Sequence, residues 1–480
     1  MVFSSYLFLF WFLPVALALY YGVPIRYRHL SLTVTSYVFY GWVKPEFCWL
    51  MLVSTLIDFA AGLVIAGRDA DGSVPILSRG GSRTTRQRVA LCLAVGANLG
   101  LLGYFKYANL AVDTWRMLFP LESGGPAEAL WRVTLPLGIS FYTFQSMSYT
   151  IDVYRGEARA VRNFVDFACF VSMFPQLVAG PIIRYQEVAD QLAFRTHTFD
   201  KFARGAAFLS LGLAKKVLLA NPCGQVADLA FDNAPVGVLE AWGGLLGYAL
   251  QIYFDFSGYS DMAIGLGLML GFMFPKNFDS PYRAASLTEF WHRWHMSLST
   301  WLRDYLYIPL GGSRLGVART YLNLFLVMVL GGLWHGAAWN FVAWGATHGF
   351  CLAVERFLRD RQWHWNGPRA IRVATTFLLV MLGWVLFRCA TFHQALDYYT
   401  SLLGMATIRP GTILVGGMMW QPWTVLTLGL AALVAWRGIP TWEWSQSLTP
   451  AKALCAIGLF VLSIALLAMQ EYNQLIYFIF

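Results

Sequence analysis

The sequence predicts an all-α polytopic membrane protein. Of its 480 residues, 58% are apolar and only 13% are charged, whereas a water-soluble domain carries about a quarter charged residues. Apolar runs of about 20 residues, long enough to cross a hydrocarbon core, recur along the whole chain. Continuous runs of this kind favour helices, which satisfy their own backbone hydrogen bonds, over the alternating pattern of a membrane barrel.

The apolar runs together predict roughly ten to twelve membrane crossings. Residues 30–42 are short enough to be re-entrant instead of spanning. Pro136 with Gly138, and Pro181 after Gly180, predict helices that are broken where they line protein or a cavity. The runs lie at residues 6–23, 30–42, 47–65, 89–107, 164–178, 239–272, 321–330, 373–387, 414–436 and 451–469.

The formal net charge of +9 indicates membrane topology rather than nucleic-acid binding. The arginines are scattered between apolar runs, which fits basic loops that stay on the cytoplasmic side. Residues 68–88, the longest polar insert, are therefore predicted to be cytoplasmic, and Lys215-Lys216 is predicted to mark a membrane edge rather than a buried pair. The seven cysteines are dispersed without a CxxC pair, so the sequence predicts neither a disulfide nor a zinc site.

Two carboxylates interrupt the apolar run at residues 239–272. A carboxylate in a membrane segment is costly unless it faces a cavity or a partner, so Asp255 and Asp261 are candidates for a functional role. The alternative is that one or both lie at the membrane interface and hydrogen-bond to nearby backbone. The sequence leaves both interpretations open.

Residues 277–348 hold the densest group of side chains suited to chemistry. Half of the chain's eight histidines lie there: His292, His295, His335 and His348. Ser286-Leu-Thr-Glu289 has the form of a capping box, and a helix that begins there would place His292 and His295 on one face. Two histidines at that spacing could bind a metal ion, but no third ligand of matching type follows, so no metal site is predicted.

His335 follows the apolar run of residues 321–330, where an imidazole is costly unless it is paired, lines an aqueous cavity or takes part in chemistry. Asn340, Trp344 and His348 follow at helical spacing on one face. A neutral imidazole can take a proton from a hydroxyl as that hydroxyl attacks an acyl carbonyl. The sequence has no G-x-S-x-G elbow, P-loop or G-x-G-x-x-G signature, so it favours base-catalysed acyl transfer within a membrane.

Several of these motifs resemble one family, the membrane-bound O-acyltransferases (MBOAT), and in particular its bacterial exopolysaccharide branch. The stretch Phe290–Gly312 carries the resemblance together with Gly332-Leu-Trp-His-Gly336. Further matches extend it over most of the chain, at Met1–Ser5, Ser36–Trp42, Pro136–Phe144, Val178–Pro181, Asp255–Asp261 and Trp384–Arg388. The resemblance implies a single membrane domain over residues 1–480 with a catalytic core at about 277–348. It also implies a ring of helices with re-entrant segments around a central tunnel.

The same resemblance implies roles for individual residues. His335 matches the family's catalytic histidine and His295 the second histidine of the Trp-His motif, so His335 is expected to act as the general base. His292 stands where the family usually has arginine, which leaves a donor contact at this position open. Residues expected to form the substrate site are Trp334, Asn340, Arg303, Asp304, His348 and Trp294.

The resulting hypothesis is a multi-pass acetyltransferase of the bacterial inner membrane. It would move an acetyl group from a cytoplasmic thioester donor, acetyl-CoA or another acyl thioester, for O-acetylation of a secreted exopolysaccharide of the cellulose or alginate type. No permanently bound cofactor is expected. The expected partners are membrane lipids, the acetyl donor, a periplasmic acetyl-transfer protein of the SGNH type and the exopolysaccharide synthesis and export complex.

Two alternatives to this hypothesis stay open. One is a polysaccharide or lipid transporter or flippase that uses the same polar-lined cavity without covalent chemistry. The other, within the same family, is D-alanyl transfer to teichoic acid.

Overall fold

The computed structural model describes residues 1–67, 74–119, 132–363, 367–408, 410–470, 472–473 and 476. Within these ranges the chain is helical and contains no β-strand, which confirms the predicted all-α class. Residues 68–73, at the start of the insert predicted to be cytoplasmic, lie outside the described ranges.

The residues group into two compact units. The first contains Met1–Ala203 and Leu266–Pro275, and the second contains Arg204–Gly265 and Lys276–Phe480. Every residue that the sequence predicts for the catalytic and substrate site belongs to the second unit. The single domain over residues 1–480 stays a prediction.

The first unit contains helices of very different lengths, from 34 residues in α4 to 4 residues in α7. A π-helical turn, Leu7–Phe12, leads directly into α1. The helices are α1 (Leu13–Gly22), α2 (Arg28–Gly41), α3 (Phe47–Ala66), α4 (Thr85–Leu118), α5 (Ile139–Arg155), α6 (Phe164–Ser172), α7 (Phe174–Leu177) and α8 (Tyr185–Ala193).

The second unit carries the remaining helices. The first of them, α9, begins in the first unit, and α11 ends there. The helices are α9 (Phe199–Ala214), α10 (Asn221–Asp232), α11 (Val238–Met269), α12 (Leu287–Arg293), α13 (Met296–Leu302), α14 (Val317–His335), α15 (Trp339–Asp360), α16 (Arg369–Arg388), α17 (Phe392–Leu402), α18 (Ile413–Met419), α19 (Pro422–Arg437), α20 (Thr441–Trp444) and α21 (Pro450–Met469).

Five of the described helices are long and apolar enough to cross a membrane, namely α3, α4, α14, α16 and α21. The pair α18 and α19 gives a sixth candidate, bent by 63°. These helices confirm a multi-pass membrane protein, while the predicted ten to twelve crossings stay a prediction.

The bend between α18 and α19 corrects the expectation of one continuous span at residues 414–436. Pro422 is the first residue of α19, and Gln421 before it is extended, with φ −63° and ψ 146°. A proline lacks the N–H that would continue the preceding helix, and its ring disfavours helical backbone at the residue before it. The chain therefore ends one helix and begins another in a new direction.

The polar helix α5 is almost entirely enclosed by protein. Gly138 precedes it with φ 72°, in the left-handed region, so the Pro136 and Gly138 pair lies before the helix rather than breaking it. The Ser148 hydroxyl accepts a hydrogen bond from the Tyr185 N–H at 3.1 Å. The buried polar residues of α5 are Ser140, Thr143, Gln145, Ser146, Ser148, Thr150 and Asp152.

A buried carboxylate joins three helices in the first unit. Asp58 on α3 accepts hydrogen bonds from the Asn98 amide on α4 at 2.7 Å and from the Thr150 hydroxyl on α5 at 2.6 Å. The Ser54 hydroxyl donates to Asn98 at 2.8 Å. Because Asp58 is fully buried, these partners supply the hydrogen bonds that lipid and water do not.

In the second unit, the lysine pair predicted to mark a membrane edge turns toward two carboxylates of α11. Lys216 Nζ lies 2.6 Å from Asp255, and both side chains are at most 3% exposed. Lys215 Nζ lies 2.6 Å from Asp261, which also accepts a hydrogen bond from the Thr441 hydroxyl. The membrane-edge prediction is wrong for Lys216, because a charge of opposite sign on α11 allows its ammonium group to be buried.

Candidate active site

The helix that leads to the site, α12, is held at its N-terminus by two side chains. The Ser286 hydroxyl accepts a hydrogen bond from the Glu289 N–H at 3.1 Å. The Glu355 carboxylate, on α15, accepts one from the Leu287 N–H at 2.8 Å. The helix start predicted at Ser286 is confirmed, although the Glu289 carboxylate accepts from the Ala285 N–H and not, as in a capping box, from that of Ser286.

α12 ends at Arg293, before it reaches His295. His295 has φ 45° and ψ 54°, in the left-handed region, and directly precedes α13. His292 is exposed, whereas His295 is 1% exposed. The prediction that these two histidines share one helical face is therefore wrong, because the chain turns sharply between them.

Asn277 organises the turn around His295. Its carbonyl oxygen accepts hydrogen bonds from the Ser297 N–H at 3.2 Å and hydroxyl at 2.9 Å, and it lies 3.3 Å from His295 Nδ1. Its amide donates to the Ser260 hydroxyl on α11 at 2.7 Å, and its backbone carbonyl accepts from the Met296 N–H at 2.9 Å. One asparagine thus ties α11 to His295 and to the first two residues of α13.

The contact with Asn277 favours one tautomer of His295. A carbonyl oxygen can only accept, so the compatible tautomer carries its proton on Nδ1 and leaves Nε2 as an acceptor. His295 Nε2 is buried and has no hydrogen-bond partner among the described residues. Burial, together with nearby His335, lowers the pKa of His295 well below its ordinary value, which favours the neutral imidazole.

His335 is the last residue of α14, and it is half-buried. Its ring centroid lies 6.3 Å from that of His295. The Trp344 and Phe387 rings each lie 5.4 Å from it, edge to face. The structure therefore brings together the two histidines that the sequence predicts as catalytic, in an aromatic enclosure.

Glycines bring α14 and α15 into close contact directly beside His335. A Cβ added at Gly332 would lie 2.3 Å from the Phe341 carbonyl oxygen, and one at Gly336 would lie 2.2 Å from the Phe341 ring. A Cβ at Gly345 would lie 2.3 Å from the Met328 carbonyl oxygen. These glycines therefore serve close packing of two helices, which places His335 where α14 ends against α15.

A narrow cavity opens beside His335, with space for about one water molecule at most. Trp294, predicted to bind substrate, is 2% exposed and forms part of its wall. The walls are otherwise apolar or aromatic. The lining residues are Ile252, Phe256, Trp294, His335, Trp344, Trp384, Phe387 and Ile476.

Trp334 and His348, both predicted to contact substrate, differ in their distance from the histidine pair. The Trp334 ring lies 6.0 Å from that of His295 and 5.0 Å from that of His335, so it belongs to the site. His348 is buried against Trp344, with 5.0 Å between their ring centroids, and the Trp344 ring in turn lies 5.4 Å from that of His335. The predicted common face of Asn340, Trp344 and His348 is confirmed, since α15 buries all three.

Asn340 holds two helices together. Its amide donates to the backbone carbonyl oxygens of Leu386 and Cys389 at the end of α16, and its side chain is 3% exposed. Both donors of the amide are therefore used within the protein. The geometry supports a positioning role for Asn340, because α16 carries Trp384 and Phe387 to the cavity wall.

Arg303 and Asp304 form an ion pair in the π-helical turn Arg303–Tyr307, which follows α13. Arg303 Nε lies 2.7 Å from the Asp304 carboxylate, and the side chains are 61% and 18% exposed, respectively. A contact of exposed Arg303 or of half-buried Asp304 with substrate stays a prediction.

The sequence pointed to the histidines but missed the residues that hold them. Asn277 and Ser297 both lie beside Nδ1 of His295, and Phe256 of α11 packs edge to face on its ring at 4.6 Å. The one indication of Asn277 in the sequence is its position at the start of residues 277–348, the stretch that holds the histidines. Among the residues that the structure describes, no three His, Cys, Asp or Glu side chains form a group that could hold a metal ion.

Comparison with known proteins agrees with the resemblance of the motifs. The sequence matches the membrane-bound O-acyltransferase family over residues 155–392. It is 45% identical to the probable alginate O-acetylase of Pseudomonas putida over 100% of both chains. It is 34% identical to the peptidoglycan O-acetyltransferase of Helicobacter pylori over 84% of this chain and 80% of that protein. With the teichoic acid D-alanyltransferase of Bacillus subtilis it shares 27% identity over 54% of this chain and 70% of that one.

Proposed function

The chain belongs to the membrane-bound O-acyltransferase family and is a multi-pass membrane acyltransferase, and we propose that it O-acetylates a secreted exopolysaccharide of the alginate type. The full-length similarity to a probable alginate O-acetylase supports the acetyl group and the polymer. The lower identity and shorter match to a D-alanyltransferase favour acetyl over D-alanyl transfer. The alternative of a transporter without covalent chemistry would not explain why the chain belongs to a family of acyltransferases.

The observation that carries the proposal is the pairing of half-buried His335 with fully buried His295, 6.3 Å apart by ring centroids. In the proposed reaction a neutral His335 imidazole removes the proton of the acceptor hydroxyl as its oxygen attacks the thioester carbonyl. The carbon–sulfur bond breaks, and the thiolate leaves and takes up the proton from His335. His295, whose Nε2 faces no described protein partner, orients the donor or the acceptor.

The donor we propose is acetyl-CoA or another acyl thioester presented from the cytoplasm, with the chain in the inner membrane. The immediate acceptor is the polymer or the hydroxyl of a periplasmic SGNH-type partner in the exopolysaccharide synthesis and export complex. Transfer of an acetyl group across a membrane requires a site that a donor on one side and an acceptor on the other can both reach. His335, at a helix end and partly accessible, is suited to meet both substrates.

The test compares acetyl transfer from radiolabelled acetyl-CoA in membranes that contain the wild-type chain, His335→Ala or His295→Asn. A general base contributes about 10²–10⁴-fold, so His335→Ala should lower transfer at least about 100-fold. Asn tolerates left-handed backbone, so His295→Asn removes the imidazole while preserving the turn. Exposed His393 provides the matched control, and His393→Ala should transfer normally. Near-normal transfer by His335→Ala would overturn the assignment of the base.

A further inference from the structure

The wall of the His335 cavity includes one residue from the very end of the chain, Ile476. Its side chain is 3% exposed and lines the cavity together with Ile252 and Phe256 of α11. Every other lining residue belongs to α11, α14, α15 or α16, or to the turn at Trp294. Ile476 therefore reaches the cavity from the part of the chain that follows α21, the last helix of the described residues.

A buried ion pair holds Ile476 at the cavity. One carboxylate oxygen of Asp255 lies 2.6 Å from Lys216 Nζ, and the other accepts a hydrogen bond from the Ile476 N–H at 2.8 Å. Asp255 is 1% exposed and Lys216 is 2% exposed. Both oxygens of one buried carboxylate are thus used, one to neutralise a buried lysine and one to fix the backbone of the cavity wall.

Two further polar contacts hold the residues that lead to Ile476. The Asn221 amide donates to the Gln470 side chain at 2.9 Å. The Gln251 amide, one helical turn before Asp255, donates to the Tyr472 hydroxyl at 3.0 Å. The described residues of this C-terminal segment are therefore anchored to α10 and α11 at three successive points.

We propose that Ile476, held by the Lys216–Asp255 pair, limits the acyl group that reaches His335 to a size near acetyl. A methyl group is similar in size to a water molecule, which is what the cavity admits. Each additional methylene of a longer acyl chain would meet the apolar wall that Ile476 completes. The inference rests on the proposed function, because it assumes that the cavity beside His335 receives the acyl group.

The test measures transfer from acetyl-CoA, propionyl-CoA and butyryl-CoA by the full chain in membranes. A hydrophobic pocket discriminates one methylene by about 10–200-fold, so Ile476→Ala should raise the ratio of propionyl to acetyl transfer about tenfold or more. Asp255→Asn should shift the ratio in the same direction, because it weakens the hold on Ile476. Ile457→Ala, an exposed isoleucine of α21, is the matched control and should keep the wild-type ratio.

The outcomes separate this inference from the proposed function. If the wild type transfers acetyl in a His335-dependent manner but Ile476→Ala keeps the wild-type acyl ratio, the specificity proposal is wrong and the acetyltransferase stands. If the wild type transfers no acyl group from any of the three donors, acyl-CoA is wrong as the donor, and the size limit proposed for it is wrong as well. Ile476→Phe provides a second test if Ile476→Ala folds poorly. Its larger side chain should lower propionyl transfer more than acetyl transfer.

Discussion

His295 and His335 are close together but have different surroundings. The buried imidazole of His295 is held by Asn277 and covered by Phe256, while His335 stays partly accessible at the end of α14. A base must meet the proton that it abstracts, and a group that orients substrate benefits from rigid surroundings. This difference supports the assignment of His335 as the base and His295 as the orienting residue.

Asn277→Leu tests the hold on His295. The substitution leaves the buried Ser297 N–H without its acceptor, which costs about 1–3 kcal/mol, and frees the His295 ring to rotate. We expect lower acetyl transfer and a lower unfolding temperature in detergent. Asn233→Leu, at an exposed asparagine whose amide donates to the Leu229 carbonyl of its own helix, is the control and should change neither. Unchanged transfer by Asn277→Leu would show that the His295 turn does not depend on this amide.

The sequence located the histidines but not their supports, for a physical reason. An imidazole in an apolar stretch is conspicuous because it is costly there. The hydrogen bond between Asn277 and Ser260 requires α11 to pack against the residues around Asn277. The residues next to Asn277 in the sequence give no indication of this bond. The left-handed backbone of His295 is likewise rare for a residue other than glycine, so a helical pattern through His292 and His295 predicted a continuous helix.

At the scale of elements, the α14–α15 hairpin depends on closely spaced glycines. Gly345→Ala would place a Cβ 2.3 Å from the Met328 carbonyl oxygen, a backbone atom that can move only with its helix. We expect the two helices to separate, with a loss of about 1–3 kcal/mol and reduced acetyl transfer, because His335 lies at the end of α14.

Gly458→Ala is the matched control for the hairpin. It lies in α21, and an added Cβ there meets nothing within 4 Å. The exchange should be neutral or stabilise by about 0.5–1 kcal/mol, since alanine favours a helix over glycine. Thermal unfolding in detergent measures both variants, and equal unfolding temperatures for Gly345→Ala and the wild type would contradict the close packing of α14 on α15.

Helices that coincide with a long apolar run were predicted well, as α3, α16 and α21 show. Helix ends were predicted where a local signal exists, such as Ser286 before α12. The end of α12 at Arg293 was missed, because tertiary hydrogen bonds such as that from the Asp279 N–H to the Arg293 carbonyl, at 2.9 Å, stop the helix there. The residues around Arg293 in the sequence do not indicate that Asp279 bonds to it.

At the scale of the whole molecule, each unit buries a carboxylate whose partners cannot be identified from the sequence. Asp58 joins three helices of the first unit through Asn98 and Thr150, and Asp255 pairs with Lys216 in the second. A buried charge is tolerated only with such partners, and the partners are far away along the chain. Composition therefore predicted a membrane protein, whereas the partners of the buried carboxylates are visible only in the folded structure.

A cluster of basic and aromatic side chains in the first unit predicts how stability depends on pH. His197 lies between α8 and α9, with its Nε2 2.9 Å from the Tyr20 hydroxyl and its Nδ1 3.3 Å from Arg28. Burial, followed by the charges of Arg195 and Arg28, lowers the pKa of His197 from 6.5 to about 4. The unfolded chain therefore binds a proton in a pH range in which the folded chain does not.

This difference in proton binding gives the sign of the effect. The contribution of His197 is fully present above about pH 6.5 and is lost as the pH falls toward about 4. The unfolding temperature in detergent should fall between about pH 7 and pH 4.5, and His197→Phe should fall less over that range because it has no imidazole to protonate. Arg28→Gln removes one of the charges that lower the pKa, so its decline should be intermediate. An equally steep decline in His197→Phe would assign the pH dependence to other groups.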